Sequence, residues 1–238
     1  MRILSVGDLH YSLRQFDWII GQAAEHDLVV LAGDQLDISS AVPLEAQIPV
    51  VLAYVERLAA VAEVAVASGN HDLTDRDANG EKSAPWLAAV REAGAHTDWD
   101  STDVNGVRLT VCPWWDGPLT REAVDRFLAS AGPDDDRPWV WVYHGPPEGS
   151  PLSWGGSRSY GDPALPGWID RHQPTLVLTG HVHEAPFVDG GAWHDRLGTT
   201  VVFNAGRHLA DMPAHVSIDL AETSVFWWSM QGEEELRF

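Results

Sequence analysis

Short apolar runs alternate with helical patterns along the first half of the chain, and this alternation constrains the fold more than any other feature. The runs have the length and the β-branched content of buried strands, and the segments between them repeat apolar side chains at helical spacing. The predicted strands are 2–7, 27–33 and 63–69, and the predicted helices are 14–26, 43–62 and 83–94. Strands that alternate with helices form βαβ units, so the sequence predicts an α/β fold with a mainly parallel sheet.

The second half begins in the same way and then loses its helices. Further strands are predicted at 107–112, 138–144 and 175–180, with a helix near 119–130. Three consecutive strands then follow at 199–206, 214–220 and 223–230. Strands without intervening helices predict a second, partly antiparallel sheet packed on the first. A length of 238 residues fits one domain, 1–238.

Side chains of the types that can bind metals follow five of the predicted strands, at the point where each strand ends. They are Asp8, His10, Asp34, Asp37, Asn70, His71, Asp72, His144, His181 and His183. A single Asp or His after a strand is more often a helix cap or a satisfied loop residue, but five strand ends in order are hard to explain in that way. Because ligands of open α/β sheets bind at the carboxyl ends of the strands, we expect these side chains to form one cluster.

Carboxylates, an amide oxygen and imidazoles together indicate Mn, Fe, Zn, Ni or Co rather than Ca or Mg. The set is larger than one tetrahedral site requires. It is sufficient for two divalent transition-metal ions if one carboxylate bridges them.

The ordered motifs GDLH, GDQLD, GNHD, the His of YHGPP, and GHVH resemble those of the calcineurin-like metallophosphoesterase family. This resemblance implies a four-layer α/β/β/α sandwich of two packed mixed β-sheets, with a dinuclear metal site at the carboxyl ends of the strands. Carried over by motif, the first ion would be held by Asp8, His10, Asp34 and His183, and the second by Asp34, Asn70, His144 and His181. Asp34 would bridge the two ions.

The resemblance also implies roles beside the metals. His71 would face the substrate without binding either ion, and Asp37 would hydrogen-bond His71 and fix its tautomer.

Asp72 has two readings, as an acid that stabilises the loop or as a further partner of the ligands. Arg158 and Arg207 are the candidate substrate-binding residues, with a structural ion pair as the alternative for each. Trp114 and Trp115 either stack on a nucleobase or pack their loop against the domain.

The family chemistry is hydrolysis of a phosphoester, with hydroxide held between the ions attacking phosphorus directly and His71 acting as an acid and transition-state stabiliser. Ile38 follows Asp37 at the position where related protein phosphatases carry a phosphate-gripping Arg, and the third motif is GNHD rather than GNHE. We therefore expect a phosphodiesterase. The alternatives are a phosphomonoesterase or nucleotidase with the same dinuclear site, and a non-catalytic scaffold that binds proteins.

Net charge and the pattern of apolar residues limit the classes of partner that we expect this chain to bind. The formal net charge of −20 disfavours long nucleic acids and leaves a small phosphoester as the expected substrate. The sequence contains no run of about 18 apolar residues, so no membrane-spanning helix is predicted. The first apolar segment is too short for a signal peptide. A cytoplasmic location is the default expectation. Residues 145–168, rich in Pro, Gly and Ser, are predicted to form an ordered loop over the site. The oligomeric state and the native metal, with manganese among the candidates, stay open.

Overall fold

Two β-sheets form the centre of the chain in the computed structural model, which describes residues 1–238. In chain order the strands are β1 (Arg2–Val6), β2 (Leu28–Ala32), β3 (Glu63–Ala67), β4 (Asp75–Arg76), β5 (Lys82–Ser83), β6 (His96–Thr97), β7 (Ser101–Val104), β8 (Val107–Val111), β9 (Trp139–Val142), β10 (Leu176–Thr179), β11 (His194–Leu197), β12 (Thr200–Asn204), β13 (His215–Asp219), β14 (Ser224–Ser229) and β15 (Gly232–Arg237). The helices are α1 (Leu13–Ala23), α2 (Leu44–Ala59), α3 (Leu87–Glu92), α4 (Pro118–Ala131) and α5 (Leu165–His172). Short 3₁₀ turns occur at Asn70–Asp72, Pro151–Ser153 and Ala185–Phe187.

Both large sheets are mixed. The first has seven strands in the order β15-β14-β13-β1-β2-β3-β6, and the second has six in the order β11-β12-β10-β9-β8-β7. Within the first sheet β1, β2, β3 and β6 run parallel, and within the second β8, β9, β10 and β12 run parallel. β4 and β5 form a separate hairpin.

Three apolar cores show how the layers stack. The central core joins side chains of both sheets, such as Ile3 and Val30 with Val140 and Leu178. A second core fills the space between the first sheet and α1 to α3, and a third lies between the second sheet and helices α4 and α5. The order is therefore helices, sheet, sheet, helices, and the predicted four-layer sandwich is confirmed.

Local sequence explains the elements that carry the site. Every residue of β2, β9 and β10 is buried, as expected of continuous apolar runs in sheets covered on both faces. α1 buries Phe16, Ile19 and Ala23, which fall on one helical face. α4 begins with Pro118, whose fixed φ and missing N–H suit the first turn of a helix.

The late strands correct the sequence prediction. They do not form one second sheet: β12 joins β10 in the second sheet, whereas β13 pairs antiparallel with β1 and extends the first. Periodicity reports that a segment is a strand but carries no information about its distant partner. Helix α5 and strands β7, β11 and β15 were also missed. In β15 the run Glu233–Glu235 hides the strand pattern at an exposed sheet edge.

The segment 145–164 is held against the second sheet. Leu152 is fully buried in the core shared with α4 and α5, and Asn204 of β12 donates to its carbonyl oxygen. None of the five helices is long and apolar enough to cross a membrane.

Candidate metal centre

The predicted ligands meet where the carboxyl ends of strands from both sheets converge. Asp8 follows β1 and Asp34 follows β2, and their carboxylates lie at the centre. His144 Nε2, after β9, lies 3.3 Å from Asp34 Oδ2 and 3.8 Å from Asp8 Oδ1. His183 Nε2 lies 3.3 Å from Asp8 Oδ1, and His10 Nε2 lies 3.6 Å from Asp34 Oδ2. Neither sheet alone supplies this cluster.

The other two predicted ligands complete the cluster on its second side. His181 Nδ1 lies 2.9 Å from Asn70 Oδ1. The His181 backbone N–H donates to the Asp8 carboxylate at 2.9 Å, and the His71 N–H donates to Asp34 Oδ1 at 2.8 Å. All seven residues proposed as ligands are thus linked through contacts with one another.

Four of these ligands occupy backbone conformations with positive φ, which non-glycine residues seldom adopt. The φ values are 57° at Asp8, 44° at His10, 55° at Asp34 and 71° at His181. Strained backbone of this kind persists only where surrounding contacts hold it, and it concentrates at functional sites. The strain therefore marks the same strand ends as the motifs.

Two glycines allow the ligands to approach the backbone closely. Gly33 has φ 94°, and a Cβ on it would lie 2.2 Å from His144 Nδ1. A Cβ on Gly69 would lie 2.2 Å from Asp34 Oδ1. Any side chain at either position would displace a proposed ligand.

Burial and charge act in opposite directions on the cluster. Burial lowers the pKa of His10 and of His181 to about 4 and so favours neutral imidazoles. For Asp34, burial alone would raise the pKa, but the neighbouring His144 outweighs it and the pKa is lowered. For His144, burial alone would lower the pKa, but the carboxylates of Asp34 and Asp8 raise it to about 9. The carboxylates thus attract a positive charge to this point, as metal ligands do.

One buried atom tests whether the residues suit a cation. His144 is fully buried, and its Nδ1–H donates to the Ala32 carbonyl oxygen at 2.7 Å. That bond leaves Nε2 facing the carboxylates of Asp34 and Asp8 without a hydrogen-bond partner. The carboxylates favour a positive charge at Nε2, and a metal ion bound there would take the place of a proton. A backbone carbonyl on the other ring nitrogen is typical of metal-binding histidines. The donor set therefore fits divalent ions that prefer nitrogen and oxygen ligands.

His71 lies at the edge of the cluster, and its predicted bond to Asp37 is not formed. The His71 ring centroid is 4.4 Å from that of His10. Asp37 Oδ1 is 3.8 Å from His71 Nδ1, which is too long for a hydrogen bond. The Ile38 backbone N–H donates to Nδ1 instead, at 3.4 Å, so the ring proton lies on Nε2. The tautomer is thus held by the backbone, because Asp37 turns back to accept from the N–H of Ser39.

Asp72 ties two strand-end loops together, the loop-stabilising role that the sequence analysis weighed for it. Its fully buried carboxylate accepts from the N–H groups of Gln35 and Leu36 and from that of Gly69. Burial, followed by the charge of Asp34, raises the pKa of Asp72 to about 7. The loops after β2 and β3 are therefore held in register by one side chain.

The two candidate arginines differ in position. The side-chain Nε of Arg207 donates to the Asp8 carbonyl oxygen at 2.8 Å, and the backbone N–H of Arg207 donates to the His183 carbonyl oxygen at 3.0 Å. This places its guanidinium beside the cluster. Arg158 instead lies over the ring of Tyr160, 4.4 Å from the centroid, and no hydrogen bond or ion pair joins its side chain to the ligands.

The tryptophan pair also divides. Trp115 Nε1 donates to Asp162 Oδ2 at 2.6 Å, and Asp162 also accepts from Tyr143 and from the first N–H groups of α5. Trp115 thus packs its loop. Trp114 lies against the ligands, with its ring centroid 4.9 Å from that of His181. Asp162 was missed by the sequence analysis, although an Asp-Pro pair ahead of an apolar run is a signal for a helix start.

Comparisons with known proteins agree with this fold. The family model described as calcineurin-like phosphoesterase matches residues 1–185. A protein from Thermus thermophilus is similar in structure, with 15% identity, a TM-score of 0.60, and coverage of 99% of this chain and 98% of that one. A dimetal phosphatase from Danio rerio is similar at 11% identity and TM-score 0.59, with coverage of 99% and 98%. A purple acid phosphatase from yellow lupin (Lupinus luteus) seeds is similar at 17% identity and TM-score 0.61, with 95% of this chain and 50% of that chain covered. No curated protein matches this sequence.

Proposed function

We propose that this chain, which belongs to the calcineurin-like phosphoesterase family, hydrolyses phosphodiesters by direct attack of water on phosphorus. The observation that carries the proposal is the buried, unpartnered Nε2 of His144 among the carboxylates of Asp8 and Asp34. Such an arrangement is costly unless the cluster serves to hold cations.

The residues that would hold two divalent ions are those assigned by motif. The first ion would take Asp8, His10, Asp34 and His183, and the second would take Asp34, Asn70, His144 and His181. When bound, two such ions supply activated water at neutral pH and offset the charge of the phosphoryl oxygens. Mn, Fe, Zn, Ni and Co are the candidate metals.

His71 acts on the leaving group in this proposal. As the oxygen of water forms its bond to phosphorus, the bond from phosphorus to the leaving alcohol breaks. The Nε2–H of His71 is the positioned proton donor, which the tautomer supports because Nδ1 is occupied by the Ile38 N–H: it donates a hydrogen bond to the departing oxygen as negative charge develops there, and the proton given up by the attacking water completes the alcohol. Asp37 Oδ1 lies 3.8 Å from His71 Nδ1, so it faces the ring without bonding to it.

Arg207 positions the phosphoryl group. Its Nε is used by the Asp8 carbonyl, and no hydrogen bond or ion pair with a protein group engages its terminal nitrogens. A guanidinium held in this way has donors left for one phosphate oxygen. Arg158, which lies over Tyr160, has no part in this proposal.

A diester is favoured because the cluster has a single arginine beside it. A monoester carries a second negative charge that a further cation would stabilise, yet the position after Asp37 is the apolar and exposed Ile38. A diester carries one charge and needs no such group. The single arginine therefore supports a substrate whose phosphate carries two organic substituents.

The test compares kcat/KM on bis(p-nitrophenyl) phosphate with kcat/KM on p-nitrophenyl phosphate, both with added Mn²⁺. We expect the diester to be the better substrate and a chelator to abolish both activities. A preference for the monoester would replace the diesterase by a phosphomonoesterase, and Arg207, with its free guanidinium end, is the observation that favours that second candidate. No turnover on either ester by protein that retains its metals would overturn the enzymatic proposal.

A further inference from the structure

A cavity of about 370 Å³ lies beside the ligand cluster and shares one wall with it. Trp114 lines this cavity, and its ring centroid lies 4.9 Å from that of His181 and 5.5 Å from that of His144. Ser68 also lines the cavity, immediately before Gly69, whose backbone packs on the Asp34 carboxylate. An occupant would therefore be separated from the ligands by the width of one indole ring.

The walls of the cavity are held in place by hydrogen bonds between different elements. Glu81, in the turn of the β4–β5 hairpin, accepts from the N–H groups of Leu119 and Thr120 and so caps the first turn of α4. The Lys82 N–H donates to Asp116 on the same side. Ser68 Oγ accepts from the Trp114 N–H at 2.9 Å. Because hairpin, helix and strand end are joined in this way, the cavity is a built pocket rather than a gap under a loose loop.

Part of the lining is apolar and includes two indole rings, and polar and charged side chains supply the rest. Its apolar members include Leu73, Pro85, Ala88, Trp99, Pro113 and Trp114. A volume of this size falls in the range of small-molecule sites, about 300–1,000 Å³, which bind through apolar walls and a few placed polar groups. Flat aromatic walls suit a flat ring.

Asp98 is the buried carboxylate among the polar side chains of the cavity, which also include Asp77, Lys82 and Arg91. Asp98 is only 8% exposed and lines the cavity, and its Oδ1 accepts from the Ser68 N–H at 2.9 Å. Burial raises its pKa to about 6, so it is a carboxylate at neutral pH and keeps acceptor capacity beyond that one bond. The nearby guanidinium of Arg91 is already paired with Asp100 at 2.9 Å. The cavity thus offers a buried acceptor to a neutral ring that donates N–H groups.

We propose that this cavity binds the organic group of the substrate, a heteroaromatic ring of nucleobase size that stacks on Trp114 and donates an N–H to Asp98. The link to turnover rests on the proposed phosphodiesterase function, but binding of the ring does not. A nucleoside without phosphate is therefore a probe of the cavity alone.

The test is calorimetric titration of the metal-loaded full chain with adenosine and with purine riboside, which lacks the exocyclic amino group. The exocyclic amino group adds one hydrogen bond to a charged acceptor, so we expect adenosine to bind roughly tenfold more tightly or better. Equal binding of the two nucleosides would overturn the role of Asp98. Absence of adenosine binding up to its solubility limit would overturn the site.

A matched pair of helix-surface variants locates the binding. Ala88→Phe, at an exposed position of α3 that lines the cavity, fills it with a ring. Ala53→Phe makes the same change at an exposed position of α2 away from the cavity. We expect a loss of at least about tenfold in adenosine affinity for Ala88→Phe alone, the same change that loss of one good contact produces. Equal affinities in both variants would place adenosine elsewhere and contradict the proposal.

The two proposals fail in distinguishable ways. Protein that binds adenosine in this cavity but hydrolyses neither nitrophenyl ester would retain the site and lose the enzymatic proposal. Protein that hydrolyses the esters but does not bind adenosine would retain the enzyme and lose the site.

Discussion

Among single residues, His71 is the one whose role can be separated from metal binding. Its side chain is about one-fifth exposed, and its ring lies beside His10 rather than between the two carboxylates. The backbone N–H of Ile38 sets its tautomer without help from a titrating group. A substitution of this ring should therefore change the chemistry and leave the ions in place.

We expect His71→Ala to retain its metal content and to lose turnover by about 10²–10⁴-fold, because a positioned acid contributes that much. Steady-state kinetics on bis(p-nitrophenyl) phosphate and elemental analysis of the same preparation are the measurements. His194→Ala, on β11 at the far edge of the second sheet, is the control and should keep parental rates. Parental turnover in His71→Ala would remove the assigned role.

Asp98 makes a prediction about stability and pH. Its pKa is about 6 in the folded chain because of burial, against about 3.9 when exposed. The folded state therefore holds the proton more tightly, and the stability that this contributes below pH 4 is lost as pH rises through 6. We expect the free energy of unfolding of Asp98→Asn, relative to the parent, to increase by about 2–3 kcal/mol between pH 4 and pH 8.

Urea unfolding of the two proteins at both pH values measures this difference. Asp136→Asn, at an exposed position, controls for the removal of a negative charge. A relative stability that does not change with pH would contradict the effect of burial on Asp98.

At the scale of elements, the loops that follow β1, β2 and β3 carry most of the site. Asp72 joins the loops after β2 and β3 by accepting hydrogen bonds from both. Asp8 and Asp34, in the loops after β1 and β2, have positive φ. Glycines remove the Cβ atoms that would otherwise meet the ligands. The cost of adding one Cβ is therefore a direct measure of how tightly these elements pack.

Gly33→Ala places a methyl group in a positive-φ conformation and 2.2 Å from His144 Nδ1. Gly80→Ala, in the hairpin turn, has φ 83° and no atom within 4 Å of its added Cβ. We expect Gly80→Ala to cost about 1–2 kcal/mol, the price of the conformation alone. Gly33→Ala should cost several kcal/mol, roughly 3 or more, since His144 must also move. Equal costs in urea unfolding would show that the close approach is not enforced.

The strand-end side chains illustrate what the sequence could predict. The clustering of the proposed ligands could be predicted because each follows an apolar run, and parallel strands bring such positions to one edge. The partner of β13 could not, because antiparallel pairing with β1 depends on contacts more than 200 residues apart in the chain. The prediction of an Asp37–His71 hydrogen bond was wrong for a different reason. The two atoms are 3.8 Å apart, and the spacing of residues in a motif cannot distinguish this separation from a hydrogen-bond distance.

For the whole molecule, the site lies where two sheets meet. Asp8, Asp34 and Asn70 come from the first sheet, and His144 and His181 come from the second. The central core that joins the sheets therefore sets the distance between the two halves of the ligand set. A chain of net charge −20 could still hold an anionic substrate here, because the two proposed cations would make the site locally positive.

The central claim is that both sheets together hold two ions around Asp34. Anomalous diffraction from crystals grown with Mn²⁺ tests it most directly. The account predicts two peaks about 3.5–4 Å apart, one near His10 and His183 and the other near His144 and His181, with Asp34 shared. A lone peak away from Asp34, or no peak within this cluster in crystals that contain manganese, would contradict it.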